Sequence, residues 1–299
     1  MTWAAGIDIG GTNLKAVAVS TDGTVLAHAA RATRDGTSGA ADWIATVQAT
    51  LADFARELGS TPHAIGVCAP GLAAPDARSI AHLPGKLAGL VGLDWTTQLG
   101  RPGLVPVLND AHAAVLGEAW SGAARGQRHV VMLTLGTGVG GAVICDGHLL
   151  RGAIGRAGHL GHMSLDPDGP VSITGMPGAI EVLIGDCTVA ARTLGKFTST
   201  AALVAAHRAG DTSASAVWLR SVKALATTLA SCINAFDPAV IVLGGGIAQA
   251  GDALFAPLAT ELARIEWRPG GHRVPVVPGA LGDRAGAIGA AHYALTSPA

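Results

Sequence analysis

The chain has 299 residues, of which 49% are hydrophobic and 14% are charged, and its formal net charge at neutral pH is -1. This length supplies apolar material for two cores and predicts about two domains, whereas the low charge and the 4% aromatic content exclude the basic surfaces typical of nucleic-acid binding. Four scattered cysteines, with no apolar run of roughly 18 residues, predict a cytoplasmic protein with reduced thiols and no membrane partner.

The first predicted elements are two apolar strands, residues 4–9 and 14–19, joined by a Gly-Gly-Thr-Asn turn at residues 10–13. Glycine adopts backbone torsions closed to other residues, and the amides and small polar side chains at the tip can cradle an anion such as phosphate. Asp8 lies at the end of the first strand, where a buried carboxylate needs a partner such as a hydrated metal ion. The turn is therefore either a structural hairpin or a phosphate site.

The next predicted elements are a strand at residues 24–31, a helix at residues 39–58 and a strand at residues 64–67. Loops with Pro-Gly pairs follow, and a strand at residues 104–108 then leads through Asn109 and Asp110 into an Ala-rich helix. Either side chain could cap that helix. Asp110, at a strand end beside a helix N-terminus, could instead act as a general base.

The first hairpin pattern recurs in the middle of the chain, where a strand at residues 130–135 runs into a Gly-Thr-Gly turn at 136–138 and out into a strand at 140–145. Two such hairpins suggest two related lobes, each offering amides and a threonine hydroxyl to a polyphosphate. A strand at residues 240–243 ends in three glycines, which either approach a flat ligand or open a helix. The remaining predicted elements are strands at 147–150 and 274–277 and helices at 180–194, 198–209, 214–236 and 285–295.

In their order and spacing these segments resemble the ROK family of bacterial sugar kinases, within the actin, Hsp70 and hexokinase superfamily, over nearly the whole chain. The resemblance implies an α/β fold of the two-lobed actin-like ATPase (ribonuclease H-like) type, with a cleft between a small N-terminal lobe, residues 1–115 plus 285–299, and a large C-terminal lobe, residues 116–284. It implies ATP and Mg²⁺ as cofactors, with Asp8 holding the metal through water. The implied nucleotide-binding residues are Asp8, Gly10, Gly11, Thr12, Asn13, Lys15, Thr137, Gly138, Gly244, Gly245 and Gly246.

The segment at residues 107–118 is similar to the family segment that carries the catalytic base, which would make Asp110 the acceptor of the proton from a sugar hydroxyl. The implied sugar contacts are Asn109, His159, His162, Glu181, Gly71, Pro84 and Gly85. His159 stands where the family usually has Glu, and a neutral imidazole offers one donor and one acceptor and titrates near neutral pH. The identity of the acceptor and the protonation state of His159 therefore stay open. Glu181 could equally be a first-turn charge favoured by a helix dipole.

Many family members carry a Cys-x-Cys-Gly-x-x-Gly-Cys-x-Glu segment whose thiolates bind zinc together with a histidine, and residues 172–181 lack all three of these cysteines. The resemblance therefore implies no structural zinc. We expect Pro177, with packing by Met176, Ile180 and Val182, to stiffen the loop instead. His162, which zinc would otherwise hold, could then face the sugar.

These patterns predict ATP-dependent phosphorylation of the primary (6-)hydroxyl of a hexose or hexose-like sugar, as in a glucokinase. The alternatives are a kinase for an amino sugar or cyclitol, and a non-catalytic sugar sensor, although Asp110 and both phosphate turns argue against the sensor. Regulators of the same family carry a helix-turn-helix ahead of the first turn, and about five residues there leave no room for one. By resemblance we expect a homodimer with a sugar as its small-molecule partner and no nucleic acid. Polyphosphate stays open as an alternative donor to ATP.

Overall fold

Two five-stranded sheets organise the part of the chain that the computed structural model describes, residues 2–37 and 39–297. The elements of the first part are, in chain order, β1 (Trp3–Ile9), β2 (Asn13–Ser20), β3 (Val25–Ala32), α1 (Ala40–Leu58), β4 (Ala64–Ala69), β5 (Leu72–Ala73), β6 (Ile80–His82), α2 (Trp95–Gln98), β7 (Val107–Asn109) and α3 (Asp110–Ser121). The later elements are β8 (Val130–Leu135), β9 (Val139–Cys145), β10 (His148–Leu149), α4 (Ile180–Ile184), α5 (Val189–Arg192), α6 (Thr200–Arg208), α7 (Thr212–Phe236), β11 (Val240–Gly244), α8 (Asp252–Ile265), β12 (Val276–Pro278) and α9 (Ala285–Thr296). Short 3-10 turns lie at Leu160–His162, Asp186–Thr188, Ile247–Ala250, Pro269–Gly271 and Gly282–Arg284.

The chain divides into two compact units, each made of separate segments. Unit 1 comprises Met1–Gly126, Leu149–Ala157 and Ala280–Ala299, and unit 2 comprises Gln127–His148 and Gly158–Gly279. These boundaries differ from the predicted ones, because residues 116–126, 149–157 and 280–284 group with unit 1. The two units consequently have similar lengths, instead of one small and one large lobe. The packing of α3 against α9 keeps both helices in unit 1.

The sheet of unit 1 has the strand order β3-β2-β1-β4-β7, antiparallel across β3, β2 and β1 and parallel across β1, β4 and β7. Its central strand β1 is buried almost throughout, as expected for a strand covered on both faces. One face packs on the buried side chains of α1. The register sets Asp8 opposite Lys15 on β2 and opposite Cys68 on β4, so these three residues form one row across the sheet.

The other face of that sheet is covered by α9 at a distance that only glycine allows. A Cβ at Gly6 of β1 would lie 1.8 Å from the Ala287 carbonyl oxygen, and Gly66 of β4 shows the same close approach to α9. Helices α3 and α9 meet in the same way, since a Cβ at Gly289 of α9 would lie 1.7 Å from the Ala113 carbonyl oxygen of α3. Backbone therefore packs on backbone, and α9 is a core element of unit 1.

The sheet of unit 2 has the corresponding strand order, β10-β9-β8-β11-β12. Pairing is antiparallel between β8 and β9 and parallel from β8 through β11 to β12. Its core includes the long helix α7, with Trp218, Leu225 and Leu229 buried. By length and composition alone α7 could cross a membrane, but 50% of its most apolar 18-residue stretch is buried inside the protein. The helix predicted at residues 214–236 is thus a core helix of unit 2.

The single helix predicted at residues 180–194 is wrong, because the structure contains two short helices there. α4 ends at Gly185, whose ψ of 147° is incompatible with a continuing helix. The next two amides donate to carbonyl oxygens of residues 136 and 137 instead of to helical acceptors. A 3-10 turn therefore separates α4 from α5, and this break attaches the segment to the second Gly-rich turn.

Proline explains two further differences from the predicted elements. The strand predicted at residues 104–108 begins only at Val107, after Pro106, which has no N–H for the sheet. Helix α8 was not predicted, and it contains Pro257 in its interior. Proline there cannot donate to the Ala253 carbonyl oxygen, which accepts a hydrogen bond from the Trp218 indole at 2.8 Å instead. A side chain of α7 thus uses the acceptor that Pro257 leaves open.

Candidate functional site

The first Gly-rich turn joins β1 to β2 as the sequence predicts. Gly10 N donates to Asn13 O at 3.0 Å and Thr33 N donates to Thr12 O at 3.0 Å, so backbone hydrogen bonds hold the turn. Thr12 and Asn13 are exposed at its tip. The backbone torsions expected for the two glycines are wrong, because Gly10 and Gly11 are not among the described residues with positive φ. Crowding explains glycine better at Gly10, where a Cβ would lie 3.0 Å from Asn13 O.

Asp8 lies under the first turn of α9, beside the thiol of Cys68. A Cβ at Gly286 would lie 3.1 Å from Asp8 Oδ2 and 3.2 Å from Cys68 Sγ, so the start of α9 covers both side chains. Burial, and next the nearby Asp110 carboxylate, raises the pKa of Asp8 to about 7, against the opposing effects of Lys15 and the hydrogen bond from Cys68. The charge of Asp8 is therefore only partly compensated by the protein, and a cation bound through water fits it.

Lys15 is the cation that neighbours this carboxylate. Its Nζ lies 3.4 Å from Asp283 Oδ2, and its side chain is 28% exposed while that of Asp283 is 74% exposed. Because Asp8 and Asp283 both draw on Lys15, this end of the sheet keeps a surplus of negative charge.

The structure shows which of Asn109 and Asp110 caps α3 and which keeps a carboxylate oxygen available. Asn109 is buried and is the N-cap of α3, since its Oδ1 accepts from Ala111 N at 2.9 Å and from His112 N at 3.1 Å. Its Nδ2 donates to Asp110 Oδ1 at 2.9 Å, and that oxygen also accepts from Ala111 N at 2.9 Å. Within residues 2–37 and 39–297, no hydrogen bond reaches Asp110 Oδ2. One carboxylate oxygen is thus fixed while the other is available, and a sugar contact by Asn109 stays a prediction.

Gly71 is tied to this pair through its carbonyl oxygen, which accepts from Asn109 Nδ2 at 3.0 Å. It has a φ of +98°, and a Cβ would lie 2.5 Å from His82 O, so only glycine fits. Pro84 and Gly85 lie exposed in the loop after β6. Their contact with a sugar stays a prediction.

The second Gly-rich turn, residues 136–138, is braced by Glu181 from the first turn of α4. Glu181 Oε2 accepts from Val139 N at 3.0 Å, and a Cβ at Gly138 would lie 2.2 Å from that same oxygen. A larger residue at position 138 would therefore have to displace the Glu181 carboxylate. Glu181 has the predicted first-turn position, and the structure adds a bond to the phosphate turn that the sequence did not indicate. Its contact with a sugar stays a prediction.

A cavity of about 500 Å³ lies in unit 2 beside this turn. Its walls include Thr137 of the second turn, Gly246 of the triple glycine, and the apolar side chains of Val204 and Ile247. Gly245, just before it, has a φ of +85°, and a Cβ there would lie 2.3 Å from a backbone oxygen. The other lining residues are Gly136, Asp186, Ser199, Thr200, Ala201, Arg208, Gln249 and Ala250. The mixture of an apolar wall and a Gly-Thr turn suits a nucleoside with phosphates.

Three polar residues of this cavity, Asp186, Ser199 and Arg208, are not among the predicted site residues. Asp186 Oδ1 accepts from Thr200 N at 2.6 Å, and Ser199 Oγ accepts from Ala202 N at 3.2 Å, so both cap α6. A serine before an apolar helix is an N-cap signal that could have located this edge of the cavity. Arg208 Nη2 donates to the Ala250 carbonyl oxygen at 2.6 Å, and no local pattern indicates that contact.

The two histidines predicted to bind sugar lie together on the 3-10 turn of Leu160–His162 and its preceding residue. The rings of His159 and His162 are nearly parallel, with centroids 6.5 Å apart and planes 17° apart. His162 Nδ1 is buried and has no hydrogen-bond partner among the described residues. A buried ring nitrogen without a partner is costly, and a ligand hydroxyl would satisfy it.

The loop after these histidines is held by its own hydrogen bonds. Ser164 Oγ donates to Pro177 O at 2.6 Å, and Ser172 N donates to Met176 O at 2.9 Å. The expected packing by Met176 is wrong, because this side chain is 42% exposed, whereas Ile180 and Val182 are buried. In the described part of the chain no group of three or more His, Cys, Asp or Glu residues could hold a metal ion.

Sequence comparison finds relatives along nearly the whole chain. A family model described as the ROK family matches residues 4–297. A glucokinase from Thermotoga maritima is 33% identical over 306 residues, which cover 96% of this chain and 95% of the relative. An N-acetylmannosamine kinase from Yersinia pseudotuberculosis is 31% identical over 295 residues, which cover 97% of this chain and 98% of the relative.

Structure comparison finds the same class of protein. A ROK hexokinase from Thermus thermophilus has a TM-score of 0.85 and 31% identity, and the match covers 98% of each chain. A ROK family glucokinase from Streptomyces griseus, solved in complex with glucose and AMPPNP, has a TM-score of 0.78 and 28% identity. That match covers 99% of this chain and 100% of the other.

Proposed function

This chain belongs to the ROK family, and from that premise we propose that it transfers the γ-phosphoryl group of ATP to the primary (6-)hydroxyl of glucose or a glucose-like hexose, with Asp110 as general base. It is an ATP-dependent, glucokinase-like sugar kinase, and the predicted fold class, the two-lobed actin-like ATPase type of α/β fold, is confirmed.

The observation that carries the role of Asp110 is its geometry beside Asn109. Asn109 caps α3 and fixes Asp110 Oδ1, and no hydrogen bond from the described residues reaches Oδ2. Phosphoryl transfer has a loose transition state, so the enzyme mainly orients the acceptor and receives its proton late. An oriented carboxylate with one available oxygen serves both purposes, since Oδ2 can accept a hydrogen bond from the hydroxyl and then take its proton.

Both Gly-rich turns have a role in nucleotide binding in this proposal. Gly10, Gly11, Thr12 and Asn13 of unit 1, with Lys15, would contact phosphates, and Thr137 and Gly138 of unit 2 would do the same beside the cavity lined by Gly246. Gly244 and Gly245 would set the path of the backbone at that cavity. Asp8 would hold Mg²⁺ through water, and Mg²⁺, when bound, neutralises charge on the phosphate oxygens.

The sugar would contact His162, whose buried Nδ1 has no partner among the described residues, and the neighbouring His159. Asn109, Glu181, Gly71, Pro84 and Gly85 complete the proposed acceptor site. The histidine at position 159 makes an amino sugar or a cyclitol the second candidate acceptor. The N-acetylmannosamine kinase among the relatives shows that amino sugar derivatives occur as substrates at this degree of similarity.

We further propose a cytoplasmic homodimer, because its donor ATP is a cytoplasmic metabolite and the family resemblance implies dimers. ATP is the proposed donor, with polyphosphate as the alternative. The cavity favours ATP, because Val204 and Ile247 provide an apolar wall that a nucleoside can use and a chain of phosphates cannot.

The proposal is tested by ADP release from the purified protein with ATP and Mg²⁺, across glucose, mannose, glucosamine, N-acetylmannosamine and cyclitols, and with polyphosphate in place of ATP. Asp110→Asn removes the base, and Asp53→Asn is a matched control because Asp53 is a half-buried carboxylate on α1 that pairs with Arg31 and Arg56. We expect Asp110→Asn to lower kcat by at least about 100-fold, within the range for general-base catalysis, and Asp53→Asn to retain full activity. Unchanged turnover in Asp110→Asn would contradict the assignment, and binding without turnover would indicate a sensor.

A further inference from the structure

Arg192, at the end of α5, lies behind the second Gly-rich turn and outside the residues assigned so far. Its guanidinium donates to the carbonyl oxygens of Gly185 at 3.0 Å and Ile184 at 3.3 Å. The same group donates to Thr188 Oγ1 at 3.1 Å and to Ser221 Oγ on α7 at 2.7 Å. The side chain is partly buried, and burial lowers the pKa of Arg192. Its fork is thus filled with neutral oxygen acceptors.

The positive charge of Arg192 has no carboxylate partner in contact. Among residues 2–37 and 39–297, no carboxylate oxygen lies within 4.0 Å of the guanidinium. Asp186 is a carboxylate whose charge acts on it, and Asp186 Oδ1 accepts from Thr200 N at the start of α6. A partly buried cation held only by neutral groups keeps most of its electrostatic potential, because solvent screens it less than an exposed charge.

Two hydrogen bonds connect the backbone segment that Arg192 contacts with the second Gly-rich turn. Gly185, which accepts from the guanidinium, is followed by Asp186 and Cys187, whose amides donate to Gly136 O and Thr137 O, each at 2.9 Å. The backbone at Gly185 is itself close to the turn, since a Cβ there would lie 3.1 Å from Thr137 O. The guanidinium is therefore one backbone segment away from the turn that is proposed to hold phosphates.

We propose that Arg192 is a positioning residue. Its positive charge raises the electrostatic potential at the second Gly-rich turn and so tightens the binding of the nucleotide phosphates there. This inference rests on the proposed function of that turn. Arg192 acts through residues 185–187 and does not touch the nucleotide. The effect is assigned to the positive charge, which an ammonium group shares although its three donors replace only some of the four hydrogen bonds made by the guanidinium.

The test compares Arg192→Met and Arg192→Lys with Arg220→Met, which removes an exposed arginine of α7 and changes the net charge equally. We expect the KM for ATP to rise at least tenfold in Arg192→Met and less than threefold in Arg192→Lys. The KM for glucose should stay within twofold of the native value in both, and Arg220→Met should match the native enzyme. Calorimetric titration with AMPPNP and Mg²⁺ should give the same order of dissociation constants.

A role limited to packing would raise the KM for ATP equally in the lysine and methionine variants, or would raise both KM values together, and either result overturns the inference. If Arg192→Met does not fold, Arg192→Lys decides, because a tenfold loss of AMPPNP affinity in a folded lysine variant contradicts the role of the charge. If the native protein phosphorylates no sugar but binds AMPPNP, the proposed function fails while the titration still tests Arg192.

Discussion

Asn109 Nδ2 donates a hydrogen bond to Asp110 Oδ1 at 2.9 Å while Asn109 Oδ1 caps α3, so one amide both starts the helix and orients the neighbouring carboxylate. The two functions use different atoms of the same side chain. They can therefore be separated by substitution, and the separation measures how much the orientation of Asp110 contributes to turnover.

The first prediction concerns Asn109. Serine is also a good N-cap but lacks the Nδ2 donor, so Asn109→Ser should keep the cap, lose about 1 kcal/mol of unfolding free energy with the Gly71 hydrogen bond, and lower kcat. Asn109→Ala should lose the cap as well, at a cost of about 1–2 kcal/mol. Urea denaturation and steady-state kinetics on both variants check this. Full activity in the serine variant would show that Asp110 needs no orientation by Asn109.

The second prediction concerns Asp8, whose pKa burial raises from 3.8 to about 7. Between pH 3.8 and about 7, Asp8 keeps its proton in the folded protein but has lost it in the unfolded chain. The free energy of unfolding therefore falls as pH rises through this range. Asp8→Asn removes this loss and should be more stable than the native protein by about 1–3 kcal/mol at pH 8. At pH 4 the difference should vanish. Urea denaturation at both pH values checks it, and a difference independent of pH would contradict the raised pKa.

The third prediction concerns the contact of α9 with α3. A Cβ at Gly289 would lie 1.7 Å from a backbone oxygen of α3, so Gly289→Ala must push the two helices apart. Overpacking of this kind costs about 1–3 kcal/mol, and here we expect the upper end because the obstacle is backbone. Gly103→Ala is the control, since nothing lies within 4 Å of its Cβ position. Equal melting temperatures for the two variants would refute the close contact.

The fourth prediction concerns Glu118, a buried carboxylate of α3 that accepts from Ala123 N at 2.7 Å, Ala280 N at 3.1 Å and Leu281 N at 2.9 Å. Its removal in Glu118→Ala leaves three amides without their acceptor and should cost about 3 kcal/mol or more. Glu118→Gln keeps one acceptor oxygen, so it should lose about half as much. The exposed Glu57→Ala is the control for urea denaturation. A loss no larger than that of the control would exclude an anchoring role.

The parts that local sequence patterns could predict are those whose chemistry is local. The strand-turn-strand pattern around Gly10 and Gly11 and the helix start at Asp110 are each encoded within about ten residues, and the structure contains both elements. The division of roles between Asn109 and Asp110 was left open because either side chain is a good N-cap. Only the geometry shows which of them accepts from the helix amides.

The parts that could not be predicted depend on groups distant in the sequence. Helix α8 contains Pro257, which normally argues against a helix, and the compensating bond comes from Trp218 on another helix. The contact of Gly138 with the carboxylate of Glu181 joins residues more than forty positions apart. The wall of the cavity likewise combines side chains of α6 with the 3-10 turn after β11. No window of sequence contains both partners of such contacts.

The backbone contacts of α9 also order the events of biosynthesis. β1 precedes the segments of unit 2 in the chain and α9 follows them, yet Gly6 of β1 packs directly on Ala287 of α9. The ribosome therefore emits all of unit 2 before unit 1 has the helix that covers one face of its sheet. Unit 1 therefore keeps an apolar sheet face uncovered throughout the synthesis of unit 2. Apolar strands exposed in this way are prone to aggregation.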